Sequence, residues 1–444
     1  MIKYFLRKIN ADDKVLLFLS SRAFSTLSYP ITISLIIAYL TPEEQGYYYT
    51  FLTLLSFSMF LELGLGVILT NFASHEFSNL FWSNHNELKG NEKSILRVHS
   101  LIKKTIYWFL ILALVFVISM LGVGHFLFNE SLPNHNISFV WLVFLIVFSP
   151  GLIVGPFLSI LSGFERIKEV QIIKLLQISI SIICLWIALY FKQGIFALVI
   201  QFLVQNAISS SYIFFKYRKL LYDSMRSSNN SFNWSTEILP LQLKTGFAWI
   251  VTYLGLNLLI PFSFKLFGPV VAGQLGMSFK IAQVVSIVCL AWINTRVPQM
   301  GKMVAQNEYK KFLHFFNKTL KSIFLVGIII LILISIFLFA SKYLNLESFN
   351  GRILPIRMVL ILSIGYFFAS LSNYLSMTIR AFKDEKMIIP NFIALIFYII
   401  TFYLCYHFND LNLIVNNFLI INCFILFPSS LFMIKNLFRS KGVL

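Results

Sequence analysis

Charge is the scarcest property of this chain. Only 12% of its 444 residues are Asp, Glu, Lys or Arg, whereas a soluble domain carries roughly a quarter. A water-facing surface cannot be built from so few charges, so an ordinary soluble protein is excluded. Acids are rarer still, 18 against 36 Lys+Arg, and the net charge is +18. Such a balance can signal nucleic acid, but the basic residues lie in short clusters between apolar runs, which is a membrane-topology pattern with no nucleic-acid partner. The four cysteines, Cys184, Cys289, Cys405 and Cys423, all sit in apolar stretches without CxxC spacing. Neither a disulfide framework nor a zinc site is indicated. There is no Walker loop, G-x-G-x-x-G, G-x-S-x-G or H-E-x-x-H, so no cofactor, ATP or common hydrolase chemistry is signalled. The basic N-terminal stretch has no small-residue cleavage site after a short apolar region, and is expected to be a retained cytosolic tail.

What is abundant is apolar sequence: 58% of residues are hydrophobic, 48 of them Phe. A membrane helix needs about 20 mainly apolar residues. Runs of that kind occur near 16–40, 47–70, 105–127, 138–163, 173–191, 195–216, 242–267, 273–296, 319–340, 353–379, 388–407 and 412–433. The expected fold is therefore all-α and polytopic, with twelve transmembrane helices.

Lys and Arg accumulate in loops on the cytosolic side of a bilayer. One side holds Lys3, Arg7, Lys8 and Lys14, then Lys89, Lys93, Arg97, Lys103 and Lys104, Arg166 and Lys168, Lys216 to Arg226, Arg296 to Lys321, Arg380 to Lys386, and Lys435 to Lys441. The other side holds only Lys192, Lys342 and Arg352. Both termini are thereby placed in the cytosol.

Six spans per half allow a parallel repeat, with two six-helix lobes related by a pseudo-two-fold axis. Span 1 leads into Pro42-Glu43-Glu44-Gln45-Gly46 and span 7 into Pro269-Val270-Val271-Ala272-Gly273, the same Pro-x-x-x-Gly turn. A second echo links Gly163-Phe164-Glu165-Arg166-Ile167-Lys168 with Ala381-Phe382-Lys383-Asp384-Glu385-Lys386. The expected division is residues 1–217, a Ser- and Asn-rich cytosolic linker over 218–241, and residues 242–444.

Inside the spans lie Arg22, Lys174, Lys244, Lys265, Lys280 and Arg357 against one acid, Glu62. A charge near the bilayer centre costs about 3 kcal/mol on insertion scales, so it faces a watery cavity or a partner. The bland alternative is snorkelling to the headgroups, which suits Lys244, Lys265 and Lys174, and interfacial anchoring for Arg357. Arg22 and Glu62 fall at matching depths, about 12 Å from the same side on adjacent helices. They are expected to form an ion pair, structural or switching, with Glu62 as the ion-coupling or gating carboxylate. Lys280 and Arg357 enter from the other side, about 8–15 Å deep. Polar stripes, Gln171/Lys174/Gln177/Ser181 on span 5 and Gln201/Gln205/Ser209 on span 6, either join helices or line a wet cavity.

Three stretches carry a family resemblance. They are Phe60-Leu61-Glu62-Leu63-Gly64-Leu65 with Asn71-Phe72-Ala73-Ser74-His75-Glu76; Trp234 to Gln242; and Gly268 to Met277 with Ala291-Trp292-Ile293-Asn294-Thr295-Arg296-Val297-Pro298. They resemble bacterial O-antigen flippases of the Wzx type, across nearly the whole chain. The resemblance implies membership of the superfamily that contains multidrug (MATE) exporters and the lipid II flippase. It implies a multi-pass inner-membrane location and alternating access between two lobes. The implied substrate is an undecaprenyl-pyrophosphate-linked oligosaccharide of lipopolysaccharide biosynthesis. Cationic cavity residues bind the pyrophosphate in such proteins, a role carried onto Arg22, Lys280 and Arg357, with Lys174 and Lys265 as further candidates. The implied partners are this lipid, a proton or sodium ion, membrane lipids and other O-antigen assembly proteins. Two rivals stay open: a multidrug cation antiporter of the same fold, which would need more buried acids, and a membrane enzyme of O-antigen assembly, which would need a large external loop.

Overall fold

Apolar runs this long have to satisfy every backbone polar group internally, and helices do so within one segment. The computed structural model describes residues 13–62, 64–83, 87–128, 137–226, 232–294, 296–382 and 387–441. The chain opens with α1 (Asp13–Tyr39), α2 (Pro42–Ser56), the short α3 (Ser58–Glu62) and α4 (Leu65–Phe77). A small hairpin of β1 (Leu80–Trp82) and β2 (Leu88–Gly90) follows, pairing antiparallel with Phe81 opposite Lys89. Next come α5 (Glu92–Phe128), α6 (Ile137–Gly163), α7 (Ile167–Tyr190), α8 (Phe196–Arg226) and α9 (Trp234–Glu237). The remainder is α10 (Leu239–Asn294), α11 (Val297–Ala305), α12 (Tyr309–Tyr343), α13 (Glu347–Asn350), α14 (Ile356–Ala381), α15 (Ile388–Phe408), α16 (Asn412–Ile420), a π-helical turn (Ile421–Leu426) and α17 (Phe427–Ser440).

The span count follows from lengths. Among the described residues nine helices are individually long and apolar enough to cross a bilayer, and α2–α4 form a tenth, bent by 42°. The apolar segment Phe24–Tyr39 of α1 is shorter than these, but α1 as a whole has 27 residues, about 40 Å at 1.5 Å each, long enough for an eleventh span. One of the nine, Tyr253–Ala291 in α10, has 39 residues, which at 1.5 Å each is about 58 Å, against a hydrocarbon core of about 30 Å. It is two spans, divided at Gly268, where φ is 84° and ψ 175°. That region is open essentially to glycine alone, and Pro269 then restarts the helix. The total is twelve, as the sequence implies. The last span carries its irregularity for a stated reason: Pro428 has no N–H to donate, and the π turn falls immediately before it.

The surface confirms what surrounds these helices. On α5 and α12, Ile111, Leu114, Ile118, Leu325, Ile332, Leu333 and Ile336 are all more than half exposed. Apolar ridges of this extent face lipid, so the protein is a multi-pass membrane protein.

The chain forms two units. The first contains residues up to Thr41 and Leu54–Trp249; the second contains Pro42–Thr53 and Ile250 onward. In the first, α7 packs along α8 and α1, and α6 along α4 and α5. Its densest apolar cluster, with Leu69, Leu101, Ile160, Phe164, Val170 and Phe232, lies toward the loops rich in Lys and Arg. In the second, α14 is central: 61% of its most apolar stretch is buried, against α12, α16 and α17.

The expected linker region has definite structure on either side of residues 227–231, which lie outside the described residues. Residues 218–226 continue α8, while Phe232 and Ile238 are buried in the first unit. The N-terminal tail before residue 13 and the echo residues 383–386 also lie outside the described residues.

Candidate functional site

The sequence-marked charges fall on both units. Arg22 is on α1 and Lys244 on α10; the side chains of both lie outside the described residues, so the expected Arg22–Glu62 pair does too. Glu62 ends α3 and is half-buried, with the bend at Gly64 (φ 73°) two residues on. Among the described residues it has no ion-pair partner. Lys174 is exposed on α7. In the stripe beside it, Gln177 is buried and its Nε2 donates to the Gln205 carbonyl of α8 at 3.2 Å. At that point the two polar stripes join helices.

In the second unit, Lys265 is half-buried, three residues before the Gly268 turn. Lys280 and Arg357 move in opposite directions from their expected depths. Helix resumes at Pro269, not 273, so Lys280 lies about 17 Å along it, near the middle of a core about 30 Å thick. One turn before Lys280, Gly276 lies directly against the Tyr49 side chain of α2. Lys280 is half-buried and makes no hydrogen bond or ion pair among the described residues. Arg357, by contrast, is only the second residue of α14, which starts after Pro355, and it is exposed. The helix begins there because proline at the boundary favours extended backbone before it.

Two further polar constellations organise the loops. On the side poor in Lys and Arg, Gln45 Nε2 donates to the carbonyls of Gly273 and Arg352, both at 2.9 Å, and Gln274 Nε2 donates to the Gly351 carbonyl at 3.0 Å. Gly46 faces Pro269 so closely that a Cβ would stand 2.0 Å from the Pro269 carbonyl oxygen. The two Pro-x-x-x-Gly turns read in the sequence thus touch each other. Burial holds the Arg352 guanidinium pKa below its usual value against the opposing pull of Glu43 and Glu44; it stays charged.

On the basic side, in the first unit, Glu169 is a hub. Its Oε1 accepts from Arg166 Nη1 at 2.8 Å, and its Oε2 from Tyr217 OH at 2.7 Å, Lys216 Nζ at 2.9 Å and Tyr212 OH at 3.2 Å. The Arg166 guanidinium stacks over Trp82, 4.7 Å from the ring centre, and Trp82 Nε1 donates to the Phe164 carbonyl. Beside it Arg97 bridges Glu76 at 2.7 Å and Glu237 at 2.8 Å, and Lys104 donates to the Phe232 carbonyl. A count of basic residues alone misses this hub. The available signal was acids such as Glu76, Glu169 and Glu237 set among loops dominated by Lys and Arg.

These features define an all-α, multi-pass membrane protein of two units, with one half-buried lysine in its spans, Lys280, that makes no ion pair among the described residues. No family model matches the chain, and no curated protein matches it. Solved structures do. The inward-facing conformation of a multidrug resistance MATE family transporter of the MOP superfamily is similar at a TM-score of 0.69, with 14% identity over 93% of this chain and 95% of that one. Lipid II flippase MurJ in its inward closed conformation is similar at a TM-score of 0.62, with 14% identity over 95% of this chain and 87% of that one. The chain shares their fold.

Proposed function

We propose that this protein moves an undecaprenyl-pyrophosphate-linked oligosaccharide, an O-antigen unit, from the cytosolic to the outer leaflet of the bacterial inner membrane by ion-coupled alternating access, with both termini cytosolic. Lys280 carries the reading. A lysine near mid-membrane with no anion beside it among the described residues has a desolvation cost that nothing in its surroundings offsets. A pyrophosphate headgroup offsets it, and is itself stabilised by the same charge. Arg22, Lys174, Lys265 and Arg357 add positive potential along the route. The glycan travels in water among polar side chains, and the prenyl chain stays in lipid. The shared fold with a lipid II flippase supports a lipid-linked substrate, and the family resemblance in the sequence supports the O-antigen class. Energy comes from an ion gradient: one charge crossing 100 mV is worth about 2.3 kcal/mol. Glu62, the single acid among the marked spans, is the coupling carboxylate.

The test is Lys280→Gln in purified full-length protein, measured for affinity toward undecaprenyl-pyrophosphate oligosaccharide. A charged hydrogen bond of about 1.5–3 kcal/mol predicts a loss of at least about tenfold, with Lys280→Arg retaining most of the affinity. Thermal stability should hold or rise in Lys280→Gln, because no ion pair is broken. Unchanged affinity in Lys280→Gln would remove the central support of this reading.

A further inference from the structure

The first unit holds a cleft that the charged residues do not explain. Helix α8 departs from helical geometry at Tyr217 (φ −114°, ψ 17°). That residue is pinned by its hydrogen bond to Glu169 and by ring contacts with Trp82 and Phe157. Across the kink lies a cleft of about 490 Å³ between α5, α6 and α8, with Phe214 and Phe215 before the kink, Leu221 after it, and Ile106, Ile153 and Phe157 opposite. Its lining is apolar apart from Ser210 and Ser211.

Depth and charge identify an occupant. Ile153 and Phe157 lie ten and six residues before the end of α6, so about 15 and 9 Å from the basic side, within one leaflet of a core about 30 Å thick. Arg218 comes one turn after Phe214 and one turn before Leu221; it is exposed and has no ion pair among the described residues. The cleft therefore offers a strip of apolar wall at acyl-chain depth, and Arg218, which does not itself line it, is the exposed cation on the same helix between the lining residues Phe215 and Leu221. In a bilayer an apolar wall gains little from hydrophobicity, because lipid tails are equally apolar. Selectivity has to come from close packing and from the arginine, whose planar fork pairs bidentately with phosphate. The volume is in the range that holds one small ligand, enough for part of one chain, and a phospholipid would leave its second chain outside.

We infer that this cleft is the docking site for the chain of a polyprenyl diphosphate, with Arg218 on the diphosphate, at the cytosolic leaflet. The inference rests on the lipid-linked substrate proposed above and names where its lipid part is first held. The hub at Glu169 keeps the cleft open by fixing the kink.

The experiment uses the full chain in nanodiscs with two photoreactive probes, a diazirine-bearing polyprenyl diphosphate and a diazirine-bearing phosphatidylglycerol. The expected result is adducts of the prenyl probe on the segments around Ile153 and Phe214, displaced by unlabelled undecaprenyl diphosphate and not by excess phosphatidylglycerol. Arg218→Gln should lower that labelling about tenfold, and Arg218 is exposed, so the variant should fold. Ile153→Trp, which fills the cleft, should abolish it. Equal labelling by the phospholipid probe, with mutual competition, would make the cleft a general lipid contact and overturn the inference. Prenyl adducts confined to other helices would overturn it while leaving the proposed function standing. No prenyl labelling anywhere would count against the proposed function itself.

Discussion

Gly268 and Gly46 show two different reasons for a glycine in matching turns. At Gly268 an added Cβ would meet nothing within 4 Å, but φ is 84° and ψ 175°, so the penalty of a side chain is conformational. At Gly46 the backbone of Pro269 leaves no room for a Cβ. Gly268→Ala should lower stability by about 1–3 kcal/mol, visible as a lower unfolding temperature of the purified protein. An unchanged temperature would mean that the turn there relaxes freely. The repeated Pro-x-x-x-Gly pattern made the turns legible in the sequence, but not that Gly268 is the residue at which the helix breaks. The same gap accounts for the different positions of Lys280 and Arg357 along their helices. Their presence inside apolar runs was legible; their depth depends on where each helix starts, and Gly268 and Pro355 set those starts.

Among the elements, α8 departs most from its sequence reading. Apolar content marks residues 195–216 as a span, and the Ser- and Asn-rich stretch after it reads as a flexible connection. The helix instead continues through Arg226 with a kink at Tyr217, where Glu169, far off in sequence, supplies the acceptor that Lys216, Tyr212 and Tyr217 share. Contacts between distant residues leave no periodicity to read. The hairpin of β1 and β2 escaped notice for a related reason, since three-residue strands carry too little alternation. Glu169→Gln keeps the shape and an acceptor but removes the charge pairing with Lys216 and Arg166. It should cost about 1–3 kcal/mol and speed hydrogen exchange over residues 212–226. Exchange as slow as in the parent protein would show that the kink is held by packing alone.

At the scale of the whole molecule, span number and loop grouping were the most legible features, because lipid tolerates few solutions. The loops grouped on the sparsely charged side by counting Lys and Arg do meet: Gln45 reaches Gly273 and Arg352. Within the first unit, those grouped on the basic side meet as well, through Glu76, Arg97, Glu169, Lys216 and Glu237. The association of Pro42–Thr53 with the second unit was not legible, since it depends on the close approach of two turns.

On the proposed function, the spans present positive charge to an anionic lipid headgroup. The most direct measurement is the unfolding temperature of the purified protein with undecaprenyl-pyrophosphate oligosaccharide, beside a bulky organic cation. Ligand at about 100 times its Kd stabilises the native state by about 2.7 kcal/mol. A clear upward shift is expected with the anionic lipid and none with the cation. A shift with the cation alone would contradict the proposed function, and would make Glu62 the residue of a cation exporter.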